Sequence, residues 1–400
     1  MASTTSTTVA SAIQTKWMAK LLTRMKPRLI WTRFGDVNPV GKGINTVKYN
    51  WLLDTAKVTS SSSAGTALKI GDSALAAFTT NYRDITMQIW EKFWSINDNV
   101  DVNSFLTNDD YMDSIVDNYE RTLDYQVLKA LVNESFWVRQ DGDATYQVRG
   151  TVDSATASTV VDAALTQADD HWNGGMFTVY NRTAPGFDTG ALVTDFVAST
   201  DTLSVALTNT PTSASRYNLV TREGIVAGDK LIIDNLLNAA YYHDHLGNPK
   251  LPGGKWLTII DSIQHRDLHD DTEYAAYIQN DRSELSKDYQ DLVPWYDQVL
   301  KVTDEPYRTD ANGTENQASG VCHHAITLGA DAYAIQPYEG WGGTGVYNSK
   351  MIMVTEADSY NVNEAVRTIG WKAMVGMGTK RATRIVTTIT GGTALLEHVS

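Results

Sequence analysis

Thr46-Val-Lys-Tyr-Asn-Trp-Leu-Leu53 alternates bulky apolar and polar residues, and Tyr82-Arg-Asp-Ile-Thr-Met-Gln-Ile-Trp-Glu-Lys-Phe-Trp94 follows with the same β-rich pattern. The alternation predicts two half-buried strands that pair as a ribbon. Between them, Lys57-Val-Thr-Ser-Ser-Ser-Ser-Ala-Gly-Thr66 is too polar for a core and too long for a tight turn. A long acidic helix then runs from Thr107 to Val132. Thr107 is a capping residue, Asp109 and Asp110 suit the positive end of the helix dipole, and Met112, Ile115, Val116, Tyr119, Leu123, Val127 and Ala130 form an apolar stripe. Such a helix spans roughly 39 Å. An isolated ribbon is marginal in water, so ribbon and helix both call for a covering surface. In a self-assembling protein that surface belongs to a neighbouring copy.

Upstream, Ile13, Trp17, Leu21 and Leu22 fall at helical spacing between Ala10 and Met25, Pro27 kinks or stops that helix, and Phe34 to Gly43 reads as loop. Downstream, Tyr146 to Val220 shifts to Thr, Ser, Ala, Asp and Gly. Its β-rich runs Met176–Tyr180, Ala191–Val197 and Thr202–Leu207 are separated by Gly- and Asx-rich turns, which predicts a small all-β module. The surrounding chain is mixed, so the module reads as an insertion in an α+β protein. Asp229 to His245 is a predicted helix closed by Gly247 and Pro249, Trp256 to Ile260 a buried strand, and Asp270 to Gln290 a polar helix. Val299–Tyr307, Ala325–Leu328, Lys350–Thr355 and Ala382–Ile389 are further strand signals, the last two bracketing Val362 to Met377.

The chain has 400 residues, which suits two or three linked subdomains, and its 42% hydrophobic content argues against disorder. Its 11 Trp and 19 Tyr supply amphipathic rings used both in cores and at permanent interfaces. A lone cysteine, Cys322, excludes an intramolecular disulfide framework. No signal peptide is expected from Met1–Ala10, and no apolar run reaches the ~20 residues that cross a bilayer. The net charge of −14 is unevenly spread: Lys16, Lys20, Arg24, Lys26, Arg28, Arg33, Lys42 and Lys48 against Asp36 give the first fifty residues +7, leaving −21 on the rest. A basic arm on an acidic body suits an acidic neighbour or packaged nucleic acid, whereas the body is no dedicated nucleic-acid-binding domain.

Candidate chemistry is sparse. His265 and His269 share a helix face at i, i+4, but the glutamate of the zinc-protease pattern and a third ligand are missing, so a solvated polar helix is the preferred reading. His243/His245 and Cys322/His323/His324 are similarly isolated. Leu251–Lys255 and Gly340–Gly345 lack phosphate-loop spacing, and the adjacent pairs Asp109/Asp110 and Asp270/Asp271 lack the separation a glycosidase needs, so both pairs read as helix N-terminal charge. No catalytic, cofactor or metal residue is assigned.

The order of parts resembles that of tailed-phage major capsid proteins of the HK97-like fold, and is most similar to the N4-like podovirus coat proteins. The resemblance rests on Leu21–Gly35 before Lys42–Tyr49, on Tyr111 to Leu131, on Ile326–Tyr333, and on the closing strands. It implies an N-terminal arm (1–40), an E-loop ribbon (41–96), a P-domain spine-helix region (97–137), the inserted β-module (138–221), an axial A-domain (222–345) and P-domain return strands (346–400). It further implies a homo-oligomer of hexamers and pentamers in an icosahedral lattice. Decoration, scaffold and portal proteins would be possible partners, DNA would be contacted non-specifically at most, no cofactor or membrane would be involved, and the location would be the virion, assembled in host cytoplasm. Trp51, Lys57, Lys69, Trp90, Phe93 and Trp94 become inter-subunit contact candidates, and Lys16, Lys20, Arg24, Lys26, Arg28 and Arg33 the basic arm. The competing expectations are a metal-dependent or carbohydrate-acting hydrolase with a β-module, or another virion component such as a portal or tail protein.

Overall fold

The computed structural model describes residues 31–53, 80–97, 108–274 (without 141 and 214), 293–339 (without 296, 304–305, 311–312 and 316–320), 349–354 and 366–392. The predicted N-terminal helix, the serine-rich tip and most of the predicted 270–290 helix lie outside these residues. The chain divides into two compact units. The first comprises Met1–Val47, Ile85–Lys129 and Tyr333–Gly378, and the second Lys48–Asp84, Ala130–Ala332 and Thr379–Ser400. No helix among the described residues is long and apolar enough to cross a membrane.

The first unit is built on a six-stranded sheet. Numbered along the chain, its strands are β1 (Asp36–Val37), β2 (Thr46–Leu52), β3 (Thr80–Asn97), β17 (Tyr333–Pro337), β18 (Ser349–Val354) and β19 (Val366–Thr379), in the order β1-β17-β19-β3-β2 with β18 also on β19. A short helix, α1 (Trp31–Phe34), precedes β1. Trp31 and Tyr333 are fully buried there and meet edge-on at 6.4 Å. The long helix, α2, spans Asn108–Val132 and buries Ile115, Val116, Tyr119, Leu123 and Val127, the stripe that the 3.6-residue period predicts. Its Tyr119 ring packs edge-on against Trp371 of β19 at 5.0 Å, and Asn118 accepts the Trp371 indole N–H at 3.1 Å.

The stripe of α2 from Ile115 to Val127 is covered within the chain and β3 pairs edgewise with β2 and β19, whereas Leu52, Ile89 and Phe93 of the ribbon stay exposed. β19 itself falls in the span that the sequence reading only bracketed. Gly370, Gly376 and Gly378 interrupt its apolar pattern, yet a methyl group at Gly370 would overlap the Lys92 carbonyl oxygen and the Phe93 ring. Close backbone approach, not a turn, explains that glycine.

In the second unit, β5 (Gln147–Thr151), β6 (Ser154–Ala155), β7 (Thr159–Val161), β8 (Met176–Val179), β9 (Gly190–Val197), β10 (Thr202–Val205) and β11 (Arg216–Val220) form a sheet in the order β5-β11-β8-β9-β10-β7-β6. Its core holds Trp172, Phe177, Phe196, Leu203, Tyr217 and Leu219. A second sheet, ordered β13-β14-β12-β16-β20-β4 with β15 on β16, is built from β4 (Phe136–Arg139), β12 (Trp256–Asp261), β13 (Val293–Trp295), β14 (Gln298–Thr303), β15 (Arg308–Thr309), β16 (Cys322–Leu328) and β20 (Ile385–Thr390). Helices α3 (Ile233–His245) and α4 (Ser262–Asp270) accompany it, and Leu231, Ile233, Leu236, Ile260, Leu268 and Leu300 share a core cluster.

Two boundaries differ from expectation for identifiable reasons. The helix predicted from Asp229 starts at Ile233 because the Asp229 carboxylate accepts the Val226 N–H at 2.9 Å and holds a turn. The strand predicted from Ala382 starts at Ile385 because Asp188 accepts the Thr383 N–H at 2.9 Å and the Arg381 guanidinium at 2.6 Å, fixing a 3₁₀ turn.

Candidate assembly surface

The antiparallel register of β3 on β19 sorts the aromatic candidates onto two faces. Trp94 lies opposite Ile369, Lys92 opposite Trp371 and Trp90 opposite Ala373; opposed residues share a face, so these stand on the side that α2 covers. Ile369, Trp371 and Ala373 are buried, and Trp90 and Trp94 are half-buried. Phe93 opposite Gly370, Glu91 opposite Lys372 and Ile89 opposite Met374 stand on the other side. There Phe93 is 42% and Ile89 54% exposed, with a Lys372–Glu91 ion pair at 2.9 Å between them. Two exposed apolar side chains flanking one ion pair make a strip that suits a contact with another surface.

On β2, burial alternates residue by residue, with Leu52 56% exposed. In the first unit Thr46 faces Thr86 at 3.4 Å, and in the second Lys48 faces Asp84 at 3.9 Å and lies over the Tyr82 ring. Within the second unit the start of β3 is tied down as well. Asn81 donates to the Phe187 carbonyl at 3.0 Å, Asn209 both accepts the Tyr82 N–H and donates to its carbonyl, and Arg83 pairs with Glu134. Trp51 is half-buried, with the Arg381 guanidinium 5.5 Å above its ring. Lys57, Lys69, Lys16, Lys20, Arg24, Lys26 and Arg28 lie outside the described residues, and Arg33 is described only as part of α1. The exposed Ile89 and Leu52 are not among the contact candidates that the sequence offers. Alternation divides a strand into two faces without saying which face a helix covers.

The histidines take structural positions. His265 and His269 lie edge-on at 4.6 Å on α4, and no group of three metal-ligating side chains occurs among the described residues. His243 is fully buried, stacked on Trp256 at 5.4 Å, with its Nε2 on the Thr327 carbonyl and its Nδ1 on the Asn248 amide. Burial pushes its pKa down to about 4, and that of His324 down to about 3. Asp261 caps α4 by accepting the Gln264 N–H at 2.7 Å, and also receives His323 and, at 3.2 Å, Arg308. Burial opposes its charge, but the hydrogen bond and charge of His323, the Gln264 N–H and the Arg308 charge together hold the carboxyl below its ordinary range. This buried pair closes a helix end against a sheet. Asp270 and Asp271 end α4 rather than begin it, and Asp271 accepts the Ile233 N–H at 3.1 Å at the start of α3. Burial raises the Cys322 thiol to about 11, which makes it a poor nucleophile.

The sheets and the long helix α2 make a mixed α/β, mostly stranded fold shared with phage capsid subunits. The chain is similar to a subunit of the cyanophage Pam1 capsid asymmetric unit at 9% identity over 90% of this chain and 91% of that one, with a TM-score of 0.50. It is also similar to the capsid of cyanophage P-SCSP1u (10% identity, 91% and 88% covered, TM-score 0.48) and to that of Ralstonia phage GP4 (9%, 89% and 86%, 0.47). No family model and no curated protein sequence matches.

Proposed function

We propose that this chain is a tailed-phage major capsid protein that self-assembles through hexamers and pentamers into the icosahedral shell enclosing double-stranded DNA, and that it is not an enzyme. The observation that carries this reading is the fold shared with the Pam1 capsid subunit over nine-tenths of both chains. The exposed strip at Ile89 and Phe93 supplies a surface for it. Closed symmetry turns repeated head-to-tail contacts into a shell. In this reading residues 1–40 are the N-terminal arm, 41–96 the E-loop, 97–137 the spine region, 138–221 the inserted module, 222–345 the A-domain and 346–400 the return strands of an HK97-like subunit. The N4-like affinity rests on the sequence segments alone. The protein would reside in the virion after assembly in host cytoplasm, with portal, scaffold or decoration proteins as partners.

Size-exclusion chromatography with negative-stain microscopy of the purified chain tests the proposal. Spherical shells, or pentameric and hexameric capsomers, are expected. A twelvefold ring would indicate a portal instead, and a protein monomeric at all concentrations would overturn both. A stoichiometric metal ion lost on replacing His265 and His269 would favour the hydrolase.

A further inference from the structure

One interior cation of the second unit has no acid beside it. Arg222 follows β11 and is 2% exposed. Its Nη1 donates to the Gly174 carbonyl at 3.1 Å, and its Cζ lies 4.3 Å above the fully buried ring of Trp137 on β4. Nε and Nη2 are buried as well, and neither meets an acceptor on the protein. These two N–H groups lie along one edge of the guanidinium and point the same way, so together they form a bidentate fork. A methyl group added at Gly313, where φ is +82°, would come within 2.5 Å of Nη1, so the glycine lets its turn close on the guanidinium from the edge that the fork does not use.

Arg83, Arg308, Arg381 and Arg384 each sit within ion-pair distance of a carboxylate, whereas none lies that close to Arg222 among the described residues. Asp310 acts on it from farther away and accepts the Thr314 N–H at 2.7 Å. Burial accordingly draws the Arg222 pKa below its ordinary value. An aromatic face compensates a desolvated cation only in part. Beside the same indole stands His324 of β16, with ring centroids 6.2 Å apart. Its Nδ1 is 3.0 Å from the Tyr307 carbonyl, and because a carbonyl only accepts, Nδ1 carries the hydrogen. The neutral ring therefore offers Nε2 as an acceptor, and that atom too is buried without a partner.

We propose that Arg222 and His324 hold one hydrogen phosphate ion in the interior of the chain, next to Trp137. The Arg222 edge donates two charge-assisted hydrogen bonds to its oxygens, and its P–OH group donates to His324 Nε2. Each alternative occupant leaves one requirement unmet. Sulfate or a free carboxylate brings the negative charge but at neutral pH has no hydrogen for Nε2; water brings the hydrogen but no charge. The site lies within one subunit and stands independently of the shell reading.

The test is the uptake of radiolabelled inorganic phosphate by the full-length chain. The protein is dialysed against the label, passed by gel filtration into phosphate-free buffer, and counted. About one phosphate per chain is expected to stay with the unaltered protein. Arg222→Leu is expected to retain roughly a tenth of that or less, and Arg222→Lys, which keeps the charge but loses the fork, to fall nearly as far. Arg216→Gln, which removes an exposed arginine of the same unit, is expected to keep the full amount. Competition during dialysis needs no variant and so does not depend on how Arg222 substitutions fold: excess sulfate is expected to displace the label about tenfold less effectively than unlabelled phosphate. Label near zero on the unaltered chain, the same amount on folded Arg222→Leu, or sulfate competing as well as phosphate would overturn the proposal.

Discussion

Gly150 shows how one missing side chain supports a buried polar pair. It lies opposite Tyr217 across β5 and β11, and a methyl group there would come within 2.5 Å of the Asp162 carboxylate and 2.7 Å of the Tyr217 hydroxyl. Those two groups form a buried hydrogen bond of 2.6 Å, and burial followed by the bond to Asp162 holds the phenol protonated. Gly150→Ala is therefore expected to lower stability by about 1–3 kcal/mol in urea unfolding, with Tyr217→Phe losing a similar amount by taking the hydroxyl donor from Asp162 Oδ2, while Oδ1 keeps the Ala164 N–H. His243 and His324 give a second prediction. Both are held neutral by burial, at about 4 and about 3, whereas in the unfolded chain they titrate near 6.5. The unfolded state therefore binds more protons across that interval, so their contribution to stability is complete above about pH 6.5 and is lost as pH falls towards the folded values, up to about 3 kcal/mol for His243 and about 5 kcal/mol for His324. Asp261, held below its ordinary value, contributes in the same direction but only below about pH 4. A urea midpoint flat from pH 7 to 4 would contradict the histidine assignment.

For β3, the two faces predict opposite phenotypes. Trp371, buried against Tyr119, should cost roughly 3–5 kcal/mol when truncated to alanine, because its removal leaves a cavity between sheet and helix. Ile89→Asp with Phe93→Asp should leave the melting temperature nearly unchanged while abolishing shell formation by microscopy, since both side chains are exposed in the subunit. A destabilised double variant would place these residues in the core instead. β2, β3 and α2 were legible in sequence because each is amphipathic with one period: Thr46–Leu52 alternates, and Ile115 to Val127 repeats at helical spacing. β19 was not, because Gly370 and Gly376 sit opposite Phe93 and Met87, and glycines demanded by cross-strand contact resemble turn residues in one dimension.

Across the whole molecule, the charge division predicts how copies would approach one another. Residues 1–30 contain Lys16, Lys20, Arg24, Lys26 and Arg28 and no acid, so a chain lacking residues 2–30 carries −19 instead of −14. Truncation after residue 30 retains Trp31, whose ring is fully buried. Like-charged subunits repel over a distance set by the Debye length, about 10 Å at 0.1 M salt and about 3 Å at 1 M. If the arm offsets the acidic body at subunit contacts, the truncated chain should assemble poorly at low ionic strength and recover as salt is raised, while its melting temperature stays close to that of the intact chain. Light scattering across a salt series, read beside thermal unfolding, checks this. Recovery with salt identifies the arm as a source of charge compensation, whereas assembly that stays lost at 1 M salt would mean that the arm holds neighbours through apolar contacts such as Trp17 and Leu21.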